Sequence, residues 1–396
     1  MIKRGILFAG LVLLLFLVGC TNKVQVSETP QEPVQEETNR GVEEATPLPA
    51  ESQPMEGEAN NLTDITPQKQ DVIVNQPAIQ ETKVQEPKCS REFSPQFNAG
   101  PYYEGPLFDD HFHMPPAFED HDPGFKFPVM EKDITLSQIV CSFDKEKVRG
   151  AITFNMWEFE NLEQSIQDLA DMKKQLPVGI HLFLAPLDLQ AEELEEVINS
   201  HKGVFEGFGE IAFYHDFYSH TPPDAQEVME IYNVAARHNL IVMMHPDGRQ
   251  QTNVENAVRK NPDVKFLIHG PEAEDYITDL MEKYPNVYYS LDAILIRLPR
   301  VPGALSYMVS GKEEFKLKIT QNFDGLLNDA VKKWKNRIEQ HPDRFMWGTD
   351  RALDWHFDEE TSILFEEFAR AFTGRLSPEV QEKYAYQNAE DLLQKR

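Results

Sequence analysis

The sequence predicts a (β/α)8 TIM barrel, and three observations carry that prediction. After about residue 100, short apolar runs rich in β-branched residues alternate with amphipathic stretches, the pattern of strands joined by crossover helices. Eight such units fit into about 290 residues, the size of one barrel domain. Several apolar runs close on His, Glu or Asp, at what would be the carboxyl-terminal face, where a barrel keeps its chemistry. A doubly wound open sheet is the runner-up, but the chain shows no glycine-rich fingerprint that favours it.

The strands are read at residues 106–112, 149–155, 178–185, 204–211, 240–245, 264–269, 286–291 and 344–348. Helical patterns are read between them at 162–175, 191–199, 225–238, 254–260, 272–283 and 325–339, with a helical tail over 359–394. Pro177, Pro262, Pro285 and Pro342 stand just before strands, where a helix has to stop. Residues 114–131, rich in Pro, Phe and Asp, read as a loop over the barrel mouth.

Ahead of the barrel the chain opens with Lys3 and Arg4, an apolar run over 6–18, and Gly19-Cys20. This is a charged n-region, a short h-region and a small-residue cleavage site, too short for a comfortable membrane span. Leu17-Val-Gly-Cys20 resembles a bacterial-type lipobox. The resemblance implies removal of residues 1–19, lipid on the Cys20 sulfur, and a protein anchored to the membrane on the extracytoplasmic side of the cell envelope. Residues 20–100 are dominated by Glu, Gln, Pro, Thr and Val, with no aromatic residue between Thr21 and Phe93. Such a stretch buries too little apolar surface to offset its ordering entropy, so it reads as a disordered acidic tether. The predicted organisation is thus signal peptide 1–19, tether 20–100 and barrel 101–396.

A formal charge of −28 over 396 residues argues against nucleic-acid backbones and anionic lipid as partners, leaving a small-molecule substrate and the lipid anchor. Three cysteines occur. With Cys20 lipidated, Cys89 and Cys141 could pair, but spacing cannot establish it; Cys141 is expected to act as a small buried hydrophobe.

The chemistry is read from the strand ends. In Leu107-Phe-Asp-Asp-His111-Phe-His113 two imidazoles one residue apart aim at one point on an extended strand, a ready pair of ligands for zinc, iron, manganese or nickel. Strand four closes on Glu210, strand five on His245, strand six on His269, and Asp350 follows strand eight. Singly, each has a plain structural role: a helix cap, a satisfied core histidine, an ion pair of Glu210 with Arg351. Together, at the ends of five strands, they point to a metal site.

These residues resemble the amidohydrolase superfamily of metal-dependent hydrolases, over about residues 105–394. The ending Asn388-Ala-Glu-Asp-Leu-Leu393 resembles that of the branch containing aminocarboxymuconate semialdehyde decarboxylase, and Gly209-Glu210-Ile211 is also similar to TatD-type hydrolases. The resemblance implies one or two divalent ions, zinc expected, with His111, His113, Glu210, His245, His269 and Asp350 as ligands. It makes Asp350 the general base. Glu210 bridges two ions if two are bound, and His269 becomes a donor to substrate if only one is. Two are favoured, because an unpaired carboxylate among imidazoles in a dry pocket is costly.

Arg297, Arg300 and Arg351 are read as a clamp for carboxylate or phosphate, and Trp157, Tyr214, His215 and Trp355 as pocket walls. The expected activity is hydrolysis of an ester, lactone, amide or phosphoester. Non-oxidative decarboxylation is the alternative within the superfamily, and a non-catalytic surface binding lipoprotein the alternative outside it.

Overall fold

Eight parallel strands lie side by side in chain order: β1 Leu107–His113, β2 Val148–Phe154, β3 Gly179–Leu184, β4 Phe205–Ala212, β5 Ile241–His245, β6 Lys265–Ile268, β7 Val287–Leu291 and β8 Phe345–Trp347. This computed structural model describes residues 92–113, 136–154, 166–167, 173, 179–186, 190–214, 221–292, 311–352 and 354–394. The ring closes just past β8. Thr349 N–H and Asp350 N–H donate to His111 O at 3.3 and 2.9 Å, His113 N–H donates to Arg351 O at 3.0 Å, and Phe112 bridges Arg351. The fold is the expected (β/α)8 barrel.

The period of two along each strand sorts the side chains. Val242, Met244, Phe266, Ile268, Val287, Tyr289, Leu291, Phe345 and Trp347 face the helices in one core cluster. Their alternates Ile241, Met243, Leu267 and Met346 point inward with Phe108, Ile152, Phe154 and Phe183. Both faces are buried, which is why the strands read as continuous apolar runs. Of the register shifts along the sheet, two fall at ligand-type residues: between Asp109 and Phe112 in β1, and between Phe208 and Ile211 in β4. Such irregularities re-aim side chains, and here each immediately precedes or contains a ligand-type residue.

Among the described residues the helices are α1 Leu136–Lys145, α2 Ala191–Ser200, α3 Gln226–His238, α4 Gln251–Lys260, α5 Ile277–Lys283, α6 Lys312–Gln340, α7 Glu359–Thr373, α8 Pro378–Glu382 and α9 Asn388–Gln394. α2 carries Glu192 and Glu193 in its first turn, and α3 stops at Asn239 in the left-handed region. None of the described helices is long and apolar enough to cross a membrane.

Five sequence expectations change. α1 was not foreseen; Ile139 and Phe143, four residues apart, bury its inner stripe. α6 begins at Lys312 and not at 325, with a non-helical residue at Asn322 inside it. The tail over 359–394 is interrupted by a turn, and by a π-helical segment at Lys383–Gln387. Residues 92–100, assigned to the tether, are held on the domain: Gln96 N–H and Phe97 N–H donate to the Glu367 carboxylate at 2.9 and 2.8 Å, and Phe97 stacks on Phe323 at 4.1 Å. Cys141 is disulfide-bonded, correcting its reading as a small hydrophobe; its partner lies outside the described residues. Most of the helix expected at 162–175 also lies outside them.

The carboxyl-terminal motif has a physical role. Asn388 Nδ2 donates to Pro342 O and Phe345 O, both at 2.8 Å, fixing α9 under the start of β8. Ala389, Leu392 and Leu393 then join the inner cluster and plug the barrel's amino-terminal end. Each buried leucine contributes about 1.5–3 kcal/mol.

Candidate metal centre

The inward columns continue past the apolar layer into polar residues. His245 and His269 follow inward Met243 and Leu267 by two positions, and the irregularities in β1 and β4 turn His111, His113 and Glu210 to the same point. Gly209 (φ +155) and Gly270 (φ +89) allow the approach. A Cβ on Gly270 would fall 2.2 Å from His245 Nε2, and one on Gly209 would fall 2.7 Å from Met243 Cβ. Phe154 forms an apolar wall, its ring centroid 5.5 Å from that of His111 and 4.7 Å from that of His113.

Two donor groups result. In the first, His111 Nε2 lies 3.1 Å from His113 Nε2, and Asp350 Oδ1 lies 2.7 Å from His113 Nε2 and 3.5 Å from His111 Nε2. In the second, Glu210 Oε1 lies 3.1 Å from both His245 Nδ1 and His269 Nε2. His111, His113 and Glu210 also present ligand atoms within 4.8 Å of one another, so Glu210 stands between the groups. All six predicted ligands are therefore brought together.

Donors held tetrahedrally about 2.0–2.1 Å from a zinc ion stand about 3.3 Å apart, so these spacings fit a divalent cation. A second observation agrees. Both ring nitrogens of His269 are buried and make no hydrogen bond of acceptable geometry, although carboxylate oxygens lie 3.1 and 3.2 Å away. Buried polar atoms are nearly always satisfied; a cation on Nε2, with a small turn of the ring bringing Nδ1–H onto Asp292, would satisfy both nitrogens.

The electrostatics are those of a site built around positive charge. Burial opposes ionisation of Glu210, but His269 and His245 outweigh it and hold the carboxyl well below its usual range. Burial likewise opposes charging of His269, and Glu210 with Asp292 overcomes it, raising the imidazole well above its ordinary value. Burial and neighbouring His269 push His111 down. The His269 ring thus lies between two carboxylates, Glu210 at 3.1 Å and Asp292 at 3.2 Å, which favour positive charge at this point.

Two residues of the site were not foreseen. Asp292, just after β7, places Oδ2 2.5 Å from His111 Nδ1 and 3.2 Å from His269 Nδ1. Glu272 Oε2 lies 3.0 Å from His245 Nε2. Asp292 closes the apolar run of β7 as the other ligand-type residues close theirs, so the same rule would have found it; Glu272 had no such signal, standing inside an expected helix.

Of the predicted substrate-binding residues, Tyr214 lies at the mouth. Its ring packs on His245 at 4.2 Å and the residue is 37% exposed, while burial and the charges of Glu210 and Asp350 push the phenol well above its usual range. Arg351 is a correction: it is fully buried on the helix side, donating to both Glu146 oxygens at 2.9 and 2.6 Å and to Ser142 Oγ at 3.0 Å. It therefore pairs with Glu146 and not Glu210, and clamps no substrate. Trp355 packs on Phe315 and His356, in the helix layer. Trp157, His215, Arg297, Arg300 and Cys20 lie outside the described residues.

A family model described as amidohydrolase matches residues 109–395. No curated protein matches the chain. Among solved structures, an amidohydrolase from Burkholderia multivorans with bound zinc is similar at 14% identity over 73% of this chain and 99% of that one, with a TM-score of 0.50. A probable 2-pyrone-4,6-dicarboxylic acid hydrolase from Acinetobacter baumannii is similar at 12% identity over 73% and 99%, TM-score 0.48. A 2,6-dihydroxybenzoate decarboxylase from Rhizobium is similar at 14% over 73% and 98%, TM-score 0.42. At these identities the likeness speaks for the fold alone.

Proposed function

Because the chain belongs to the amidohydrolase family, we propose that it is a metal-dependent hydrolase of a small-molecule ester, lactone, amide or phosphoester. The observation that carries this is the convergence of His111, His113, Glu210, His245, His269 and Asp350 at spacings that fit a divalent cation. Bound there, a divalent cation, with zinc the expected ion, would lower the pKa of a water molecule towards neutrality and polarise the scissile oxygen.

The protein's own groups then have distinct tasks. Asp350 is the carboxylate of the first donor group, with a side chain 26% exposed. It is held at φ +52, a conformation uncommon outside glycine, by the bond from its N–H to His111 O. The carboxylate oxygen not turned to His113 takes the proton of the attacking water and returns it to the leaving group. Glu210 stands between the two groups, so two cations would be held by His111, His113 and Asp350 and by His245 and His269, with Glu210 within reach of both; were one bound, His269 would instead donate to the substrate. The Tyr214 ring, packed on His245 and partly exposed, would form a wall for the substrate. The disulfide at Cys141 and the lipobox at Cys20 together support an extracytoplasmic, membrane-anchored enzyme.

The test is a panel of esters, lactones, amides, phosphoesters and aromatic carboxylic acids, assayed before and after chelation and re-addition of zinc or manganese. Hydrolysis that is lost to chelator and restored by metal is expected. Turnover confined to loss of CO2 from the acids would transfer the site to decarboxylation, and hydrolysis indifferent to chelator would remove the metal mechanism.

A further inference from the structure

Asp292 is buried between two histidines of different strands, and both turn the same ring atom towards the same oxygen. Its Oδ2 lies 2.5 Å from Nδ1 of His111, on β1, and 3.2 Å from Nδ1 of His269, after β6. The two rings cross edge to face with centroids 4.1 Å apart. Their opposite nitrogens point to different donor groups: His111 Nε2 to His113 and Asp350, His269 Nε2 to Glu210. The nearby Ser290 hydroxyl donates to Asp110 Oδ1 at 2.6 Å and lies 3.4 Å from Asp292 Oδ2. With that hydroxyl's proton directed to Asp110, the oxygen is left to the imidazoles.

We propose that Asp292 is a positioning residue serving both donor groups at once, holding His111 and His269 with Nδ1–H towards β7 and Nε2 free for a cation. A metal-ligating imidazole needs its other nitrogen protonated and anchored, and a carboxylate is the strongest such anchor because it fixes the tautomer and raises the basicity of the ligating nitrogen. One carboxylate doing this for two rings makes the two groups interdependent: disturbing it should weaken both. The alternative geometry, a cation held by Asp292 and the two Nδ1 atoms, would place protons on Nε2 of both rings. They would then point into the two donor groups, where lone pairs are needed.

The inference rests on the cation-site reading above, and the experiment separates the two. Zinc affinity and stoichiometry are measured by chelator competition and elemental analysis on wild type and Asp292→Asn, with circular dichroism to establish folding. A clamp predicts that all bound zinc weakens together by roughly ten- to a hundredfold, with full stoichiometry recovered at excess zinc. Wild-type affinity in the variant would overturn the clamp alone, and so would one equivalent lost beyond recovery, which marks a direct ligand. A wild type that takes up no zinc would overturn the cation site itself. Should Asp292→Asn not fold, nitrogen-15 imidazole spectra of the zinc-loaded wild type decide the matter. Protons on Nδ1 of both His111 and His269 are expected, and a proton on Nε2 of either contradicts the proposal.

Discussion

At the amino-terminal end of the barrel, the inward column is filled by Phe108, Ile241, Leu267 and Met346 and stopped by Ala389, Leu392 and Leu393 of α9. At the carboxyl-terminal end, four residues beyond Ile241 on β5 and two beyond Leu267 on β6, the same columns hold His245 and His269, joined by His111, His113, Glu210 and Asp292. One end gains from excluding every polar atom; the other gathers buried nitrogens and carboxylates that satisfy one another poorly, His269 above all. The difference teaches where stability and chemistry are kept: the plug can be altered at a cost in folding, the mouth at a cost in turnover.

Asp350→Asn should sharpen that contrast most. An amide of nearly the same shape cannot take a proton from water, so the catalytic rate constant should fall by about 10²–10⁴ while the unfolding midpoint changes little. Steady-state kinetics with thermal unfolding would measure both; activity within tenfold of wild type would remove Asp350 from the base role. Glu146→Gln should do the reverse. It leaves the guanidinium of Arg351, sealed behind the mouth, without its carboxylate, at about 3–5 kcal/mol in denaturant unfolding. A loss below about 1 kcal/mol would mean the pair is not what holds that corner. Leu392→Ala should cost about 2–5 kcal/mol through the cavity it opens, with zinc uptake per folded molecule unchanged. If uptake fell as well, the two ends would not be separable.

Much of this was legible in the sequence because parallel strands are buried on both faces and announce themselves as apolar runs. The observed β5, Ile241–His245, lies within the expected 240–245, and β7, Val287–Leu291, within 286–291. The six candidate ligands stood out for the same reason, since polar residues closing such runs are conspicuous. What escaped depended on tertiary contact. α1 is short and carries Ser, Cys and Val, poor helix formers, and is held by Ile139, Phe143 and the Glu146–Arg351 pair. Arg351 looked like a clamp because it adjoins Asp350, but the left-handed turn at Asp350 leaves the carboxylate on the donor group and sends the guanidinium to Glu146 in the helix layer. Glu272 acts through a turn that periodicity does not describe. Asp292 obeyed the strand-end rule and could have been found.

The central claim, a strand-end cluster that holds two divalent cations with Glu210 between them, is tested most directly by counting metal. Wild type and Glu210→Gln, dialysed and analysed for zinc and manganese, should give about two equivalents falling to one or fewer. One equivalent or none in the wild type, unchanged by the substitution and by added zinc or manganese, would contradict it.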